Sequence, residues 1–298
     1  SSSAASDVYK RQERKRQIML SKEVVELSKQ HSIIRDIFEY GMKRAKEVGA
    51  ENVFDFSIGN PSVPAPKEID ETALRLLKTA DPVDIHGYTS NAGVLEVREN
   101  IAKSLNKRFD TNYTAANIFM TIGAAAALGI CFKTLVDGPE DEVITFAPHF
   151  PEYAVYAQGA GCRLKVISAD TRAFQINFKE LEETINEHTK AILINSPNNP
   201  SGVVYSRETI EKLAALLEKK QKEYGHSIYI ISDEPYREIA YDGFEVPYVP
   251  HFYNNTLVAY SFSKSLSLPG ERIGYIVAPN EAEDFEQLLP CLLYTSDA

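Results

Sequence analysis

Short apolar runs along this chain take turns with longer segments whose apolar residues recur three and four positions apart, the mark of strands alternating with helices. Residues 32–46 set Ile33, Ile34, Ile37, Phe38, Met42 and Ala45 on one helical face behind Ser32 as cap. Phe54, Phe56 and Ile58 alternate with Asp55 and Ser57, predicting a strand over 54–58 that ends in Gly59, Asn60 and Pro61. Helices follow over 68–78 and 94–108, the second entered through a loop at 86–93. From there strands at 117–121, 142–146, 163–167, 191–195, 227–232, 257–260 and 272–278 are interleaved with helical patterns at 123–136, 178–185 and 206–224. A last helix begins over 281–289. Such alternation predicts an α/β fold, a mainly parallel sheet covered by helices on both faces.

Composition sharpens this only in places. An apolar share of 44% and a charged share of 25% suit a globular protein, and 298 residues exceed what one simple domain needs. A formal charge of −10 points away from nucleic acid, and no apolar run approaches the length of a membrane span. The histidines show no ligand pairing, so no metal site is expected, and Cys131 and Cys162 lack metal spacing and fit a reducing, cytoplasmic setting. There is no P-loop, glycine fingerprint for dinucleotides or internal repeat. The ends stand apart. Residues 2–12 resemble the in-frame translation of a transposon-type sequencing adapter, and 291–298 the same adapter read from the other strand. Both are set outside the fold, with Met19 as the expected start, 1–18 as a non-native or read-through leader, and no charged-then-apolar signal after it.

Four strand ends carry candidate chemistry. Ser261, Phe262, Ser263 and Lys264 follow the apolar 257–260 run, and a partly desolvated lysine there yields the neutral amine that attacks a carbonyl to form a Schiff base. Read alone, it is also a surface lysine in a Ser-rich loop. Asn195-Ser196-Pro197-Asn198-Asn199-Pro200-Ser201-Gly202 follows 191–194, and Ser232-Asp233-Glu234-Pro235-Tyr236 follows 228–231. Thr121-Ile122-Gly123-Ala124-Ala125 opens a helix, where free N–H groups and the dipole favour a phosphate and small residues let it approach. Open α/β sheets collect ligands at this edge. Asp233 and Glu234 are distinguishable because alternation aims them to opposite faces.

Together, and in this order from about Ser32 to Pro279, these motifs resemble the class I/II aminotransferases, pyridoxal 5'-phosphate enzymes of the type I fold. The resemblance implies an amino-acid aminotransferase working by a ping-pong Schiff-base cycle on amino acids and 2-oxo acids, glutamate and 2-oxoglutarate being one expected pair. Lys264 then binds the cofactor covalently and shuttles a proton, Asp233 keeps the ring nitrogen protonated, and Tyr236 and Asn199 bond the ring's phenolic oxygen. Gly123, Ala124, Ala125, Ser261 and Arg272, with Ser263 as a weaker candidate, hold the phosphate. Phe150 stacks on the ring, or is a core aromatic; Gly59 approaches substrate, or merely ends a strand. Tyr88 reaches the neighbouring subunit's cofactor in a homodimer, or packs locally. The implied domains are an arm with part of a small domain over 19–60, a large cofactor-binding domain over 61–290, and a missing C-terminal small domain with its carboxylate-binding arginine. The fragment is therefore expected to be poorly active. A lyase of the same fold shares every motif, and a cofactor-sensing regulator remains a reading from another class.

Overall fold

The computed structural model describes residues 20, 21, 25, 33–169 and 172–296; the leader, Met19 and the capping Ser32 lie outside them. The chain divides into two compact units, Ser1–Asn60 and Pro61–Ala298.

In the first unit the helix α1 (Ile33–Val48) forms as its periodicity predicts, with Asp36 in the first turn and Lys46 in the last, both favourable to the helix dipole. A one-turn 3₁₀ helix, Ala50–Asn52, follows. The strand expected over 54–58 does not form. Phe54 and Phe56 are exposed, and Asp55 accepts from the backbone N–H and the hydroxyl of Ser57 at 2.8 and 2.6 Å, a local turn that competes with extension. Alternation marks a strand only where a neighbour takes up its backbone groups, and no strand pairs here.

The second unit opens with α2 (Lys67–Thr79), α3 (Pro82–His86) and α4 (Leu95–Phe109). Seven strands then build one sheet: β1 (Ile118–Thr121), β2 (Glu142–Phe146), β3 (Arg163–Ile167), β4 (Thr189–Asn195), β5 (Tyr229–Asp233), β6 (Thr256–Ser261) and β7 (Gly274–Val277). Their spatial order is β1-β7-β6-β5-β4-β2-β3, parallel except for β7, which runs antiparallel to both neighbours. The interleaved helices are α5 (Ala124–Leu135), α6 (Tyr153–Ala160), α7 (Phe178–Thr184), α8 (Arg207–Tyr224), α9 (Phe262–Ser265) and α10 (Phe285–Ser296).

Strand alternation divides the core into two faces. Val143, Ala191, Leu193, Ile231, Leu257, Ala259 and Ile276 pack with α5, α6 and α10. On the other face Ile144, Ile192, Ile194 and Ile230 meet α7 and α8, while Ile118, Val258, Tyr260, Tyr275 and Val277 meet α4. The α/β expectation thus holds, with helices on both faces. Polar residues end the helices where the pattern predicts: the Ser206 hydroxyl accepts from Thr209 N–H, and Gly225 closes α8 in the left-handed region at φ 73°.

Three short helices were not legible. α3 lies between the expected helices at 68–78 and 94–108, α6 hides behind Pro148 and Pro151, and α9 replaces the loop expected around Lys264, its first turn capped by the Ser261 hydroxyl. α10 runs through residues 291–296, which sequence had set apart; Leu292 is fully buried, and Thr295 bonds Thr134 of α5 at 3.2 Å.

Candidate active site

Register lines the candidate residues along one edge. Asn195 sits opposite Asp233 and Asp233 opposite Ala259, each at or near the carboxyl end of its strand. Because β7 is reversed, its first residue, Gly274, pairs with Ser261 on one side and with Thr121 on the other. The reversal brings Arg272, just before β7, to the edge where α5 and α9 begin. A Cβ on Gly274 would collide with the Tyr260 carbonyl oxygen and lie 2.9 Å from Gly123, so only glycine lets these segments meet.

Asp233 ends β5 on the α5 face and is 5% exposed. Tyr153 donates its hydroxyl hydrogen to Oδ2 at 2.6 Å. Asn195 donates to the Asp233 carbonyl at 2.8 Å while its own Oδ1 accepts from Asn199 N–H at 2.6 Å. Oδ1 of Asp233 is buried and has no hydrogen-bond partner among the described residues. Burial pushes the carboxyl pKa up to about 7; the Tyr153 bond opposes that rise and nearby Glu234 adds to it. Glu234 does face the other way, where it accepts from the Ser232 hydroxyl at 2.7 Å and pairs with the Arg237 guanidinium. Arg237 lies 5.1–5.4 Å from the ring centres of Phe109, Tyr248 and Tyr260.

Beside Asp233, Tyr236 is half-buried. Burial and then the Asp233 charge raise its hydroxyl pKa, and a hydrogen bond with Asn199 offsets part of that. The structure thus joins Asn199 and Tyr236 above the β4 and β5 ends. Phe150 packs edge-on to Tyr153 with ring centres 5.8 Å apart. Lys264 occupies the single turn of α9, half-buried, and burial lowers its pKa, favouring the neutral amine.

An anion cradle lies at the start of α5. The first bond within the helix runs from Ala127 N–H to the Gly123 carbonyl, so the N–H groups of Ala124, Ala125 and Ala126 have no partner of that kind. Gly123 itself adopts φ 89°, ψ 173°, a conformation essentially confined to glycine. A Cβ there would stand 2.7 Å from Nη2 of Arg272, which places the guanidinium directly against the helix start. Arg272 is held by a 2.9 Å bond from Nη1 to the Pro269 carbonyl. The Ser261 hydroxyl, 2% exposed, accepts from Ser263 N–H at 3.2 Å and lies 2.8 Å from the Ser263 hydroxyl.

Residues 51–292 match the family described as aminotransferase class I and II. The chain belongs to this family. Aspartate aminotransferase of Thermotoga maritima is 36% identical to it over 231 residues, which cover 76% of this chain and 58% of that protein. A probable N-acetyl-LL-diaminopimelate aminotransferase of Bacillus subtilis is 31% identical over 250 residues, covering 83% and 61% respectively. Among solved structures, an aminotransferase from Eubacterium rectale superposes with a TM-score of 0.90 at 54% identity, covering 94% of this chain and 70% of that one. The Thermotoga maritima aspartate aminotransferase structure gives 0.80 at 30% identity, covering 93% and 69%. The sheet is that of the type I pyridoxal-phosphate fold. The chain spans about three fifths of the length of these curated relatives.

Class I and II aminotransferases depend on pyridoxal phosphate, and the residues present here suit that group. A buried carboxylate oxygen without a partner, Asp233 Oδ1, awaits a cationic N–H donor. A guanidinium packed on an uncapped helix start suits a phosphate. Tyr88 and Gly59 stand differently. Tyr88 is fully exposed, and Gly59 lies in the first unit on an irregular exposed segment. Tyr153, Asn195 and the Glu234–Arg237 pair escaped the sequence reading. Asn195 had a signal, an amide at the last position of an otherwise apolar strand. Tyr153 had only its place three residues after Phe150, too little without knowing that α6 begins there.

Proposed function

We propose that this chain is the greater part of a pyridoxal 5'-phosphate aminotransferase, passing the amino group of an amino acid to a 2-oxo acid in two half-reactions at one site. One observation carries it: the buried, unpartnered Oδ1 of Asp233. When bound, the cofactor supplies an electron sink for the pair released at the substrate's Cα. Everything else falls to side chains. Asp233 holds a proton on the ring nitrogen. The α5 N–H groups, Arg272 and Ser261 hold the phosphate, the guanidinium offering two parallel donors. Lys264 would anchor the cofactor covalently until the substrate's amino group displaces it, and the freed neutral amine would then take and return the proton at the substrate's Cα. Tyr236 and Asn199 donate to the ring oxygen, and the Phe150 ring covers one face. Tyr88 would reach the site of a second copy in a homodimer.

Aspartate and glutamate are the donors to try first, since relatives carry the name aspartate aminotransferase. The test is a single half-reaction. The cofactor-loaded chain, given one amino acid and no acceptor, should release one equivalent of 2-oxo acid per site and then stop. Continuous release of ammonia or of a side-chain fragment would instead establish a lyase, and no release from any amino acid would overturn the reading for this chain.

A further inference from the structure

Tyr153 carries a buried hydroxyl that the proposed reaction leaves unused. It is 1% exposed, and among the described residues its hydroxyl donates to Oδ2 of Asp233, at 2.6 Å. Its ring is fixed by neighbours of its own: edge-on to Phe150 at 5.8 Å and stacked on His149 at 5.9 Å with planes 14° apart. A phenol buried so far from water must keep its acceptor, so the donation is not optional. Burial and the Asp233 charge both hold the phenol proton in place, raising its pKa well above the usual value. The Asn195 amide nitrogen stands 3.5 Å from the same Oδ2, locked there by its bonds to the Asp233 carbonyl and to Asn199 N–H. Both neighbours thus address one oxygen and leave the other.

Charge makes the arrangement consequential. Glu234 adds to the burial that raises the Asp233 pKa, and a carboxyl group so buried would take up a proton rather than share one. The Tyr153 hydroxyl, donating to Oδ2, favours the charged form.

We propose that Tyr153 is a positioning residue for the cofactor's ring nitrogen: its bond to Oδ2 reserves Oδ1 as the acceptor and keeps Asp233 charged, so that the shared proton rests on nitrogen. This rests on the cofactor reading above. The proton between a carboxylate and a pyridine nitrogen goes to the stronger base. Without the phenol donor the carboxylate becomes the stronger one, and the proton crosses from nitrogen to Oδ1 with no other bond changed.

The test compares the 298-residue chain with its Tyr153→Phe variant, each loaded with cofactor carrying nitrogen-15 in the ring. Phe keeps the ring contacts and removes only the donor. The wild-type nitrogen resonance should lie at the protonated position. Tyr153→Phe should move it toward the unprotonated one and weaken cofactor binding about tenfold, the scale of one hydrogen bond to a charged group. Tyr153→His, which restores an N–H donor, should return the signal toward wild type, and it serves as the measured variant should the Phe form not fold. Borohydride reduction and peptide mapping of the same samples keep two failures apart. An adduct on Lys264 in both chains with an unmoved nitrogen signal overturns the role of Tyr153 and leaves the site standing. An adduct absent from the wild type overturns the site itself.

Discussion

Asp233→Asn should stabilise the cofactor-free chain increasingly from about pH 4 upward, and fully above about pH 7. In the fold, burial raises the carboxyl pKa from 3.8 to about 7. An acid whose folded pKa is raised binds more protons folded than unfolded, so its neutral form costs nothing extra below pH 4. The penalty grows as pH climbs between the two values and is complete above about 7. At roughly 1.4 kcal/mol per pKa unit, the interval amounts to about 4 kcal/mol. Asn cannot ionise, is nearly isosteric, and its amide oxygen can still accept from Tyr153. Urea unfolding of both chains from pH 4 to pH 8, taken as a difference, removes the titrations the two share. The difference should be near zero at pH 4 and reach about 4 kcal/mol in favour of Asn by pH 8. A difference flat across this range, or one that grows as pH falls, would refute the reasoning, because Asp233 would then be an ordinary ionised carboxylate.

Two further outcomes follow from contacts away from that oxygen. Glu234→Ala leaves Arg237 buried among aromatic rings without its counter-charge and should cost about 3–5 kcal/mol in urea unfolding, whereas Glu234→Leu with Arg237→Met should cost far less. Equal losses in the two would show that the pair matters for shape rather than charge. Gly123→Ala forces a side chain into a backbone region that costs about 1–3 kcal/mol and pushes the Arg272 fork off the α5 start. Equilibrium dialysis should show weaker cofactor binding together with lower stability; lowered stability with unchanged binding would remove Gly123 from the phosphate seat.

The strand–helix alternation was legible because burial in this sheet is nearly periodic: Tyr229 and Ile231 of β5 face α5, while Ile230 faces α7 and α8. The same periodicity told Asp233 from Glu234 in advance. It failed at 54–58, where the alternation was real but no strand pairs with it. It also missed α6 and α9, two short helices whose form is set by what they pack on and by the Ser261 cap rather than by their own pattern. The resemblance to the aminotransferases pointed to Lys264, Asn199, Tyr236 and Arg272. What spacing could not carry was the reversal of β7, and with it the packing of Arg272 on Gly123, two residues separated by most of the unit. Tyr153 was invisible for a similar reason: a tyrosine beside Pro-rich turns reads as packing until the strand bearing Asp233 is known to lie beneath it.

The most direct measurement concerns the amine of Lys264. The chain is incubated with pyridoxal phosphate, reduced with borohydride, digested and mapped by mass spectrometry. A pyridoxyl adduct on Lys264, lost in Lys264→Ala and accompanied by loss of the long-wavelength absorption, is the result expected. An adduct spread over surface lysines, or undiminished in the Lys264→Ala chain, would contradict the account of these strand ends as a cofactor site.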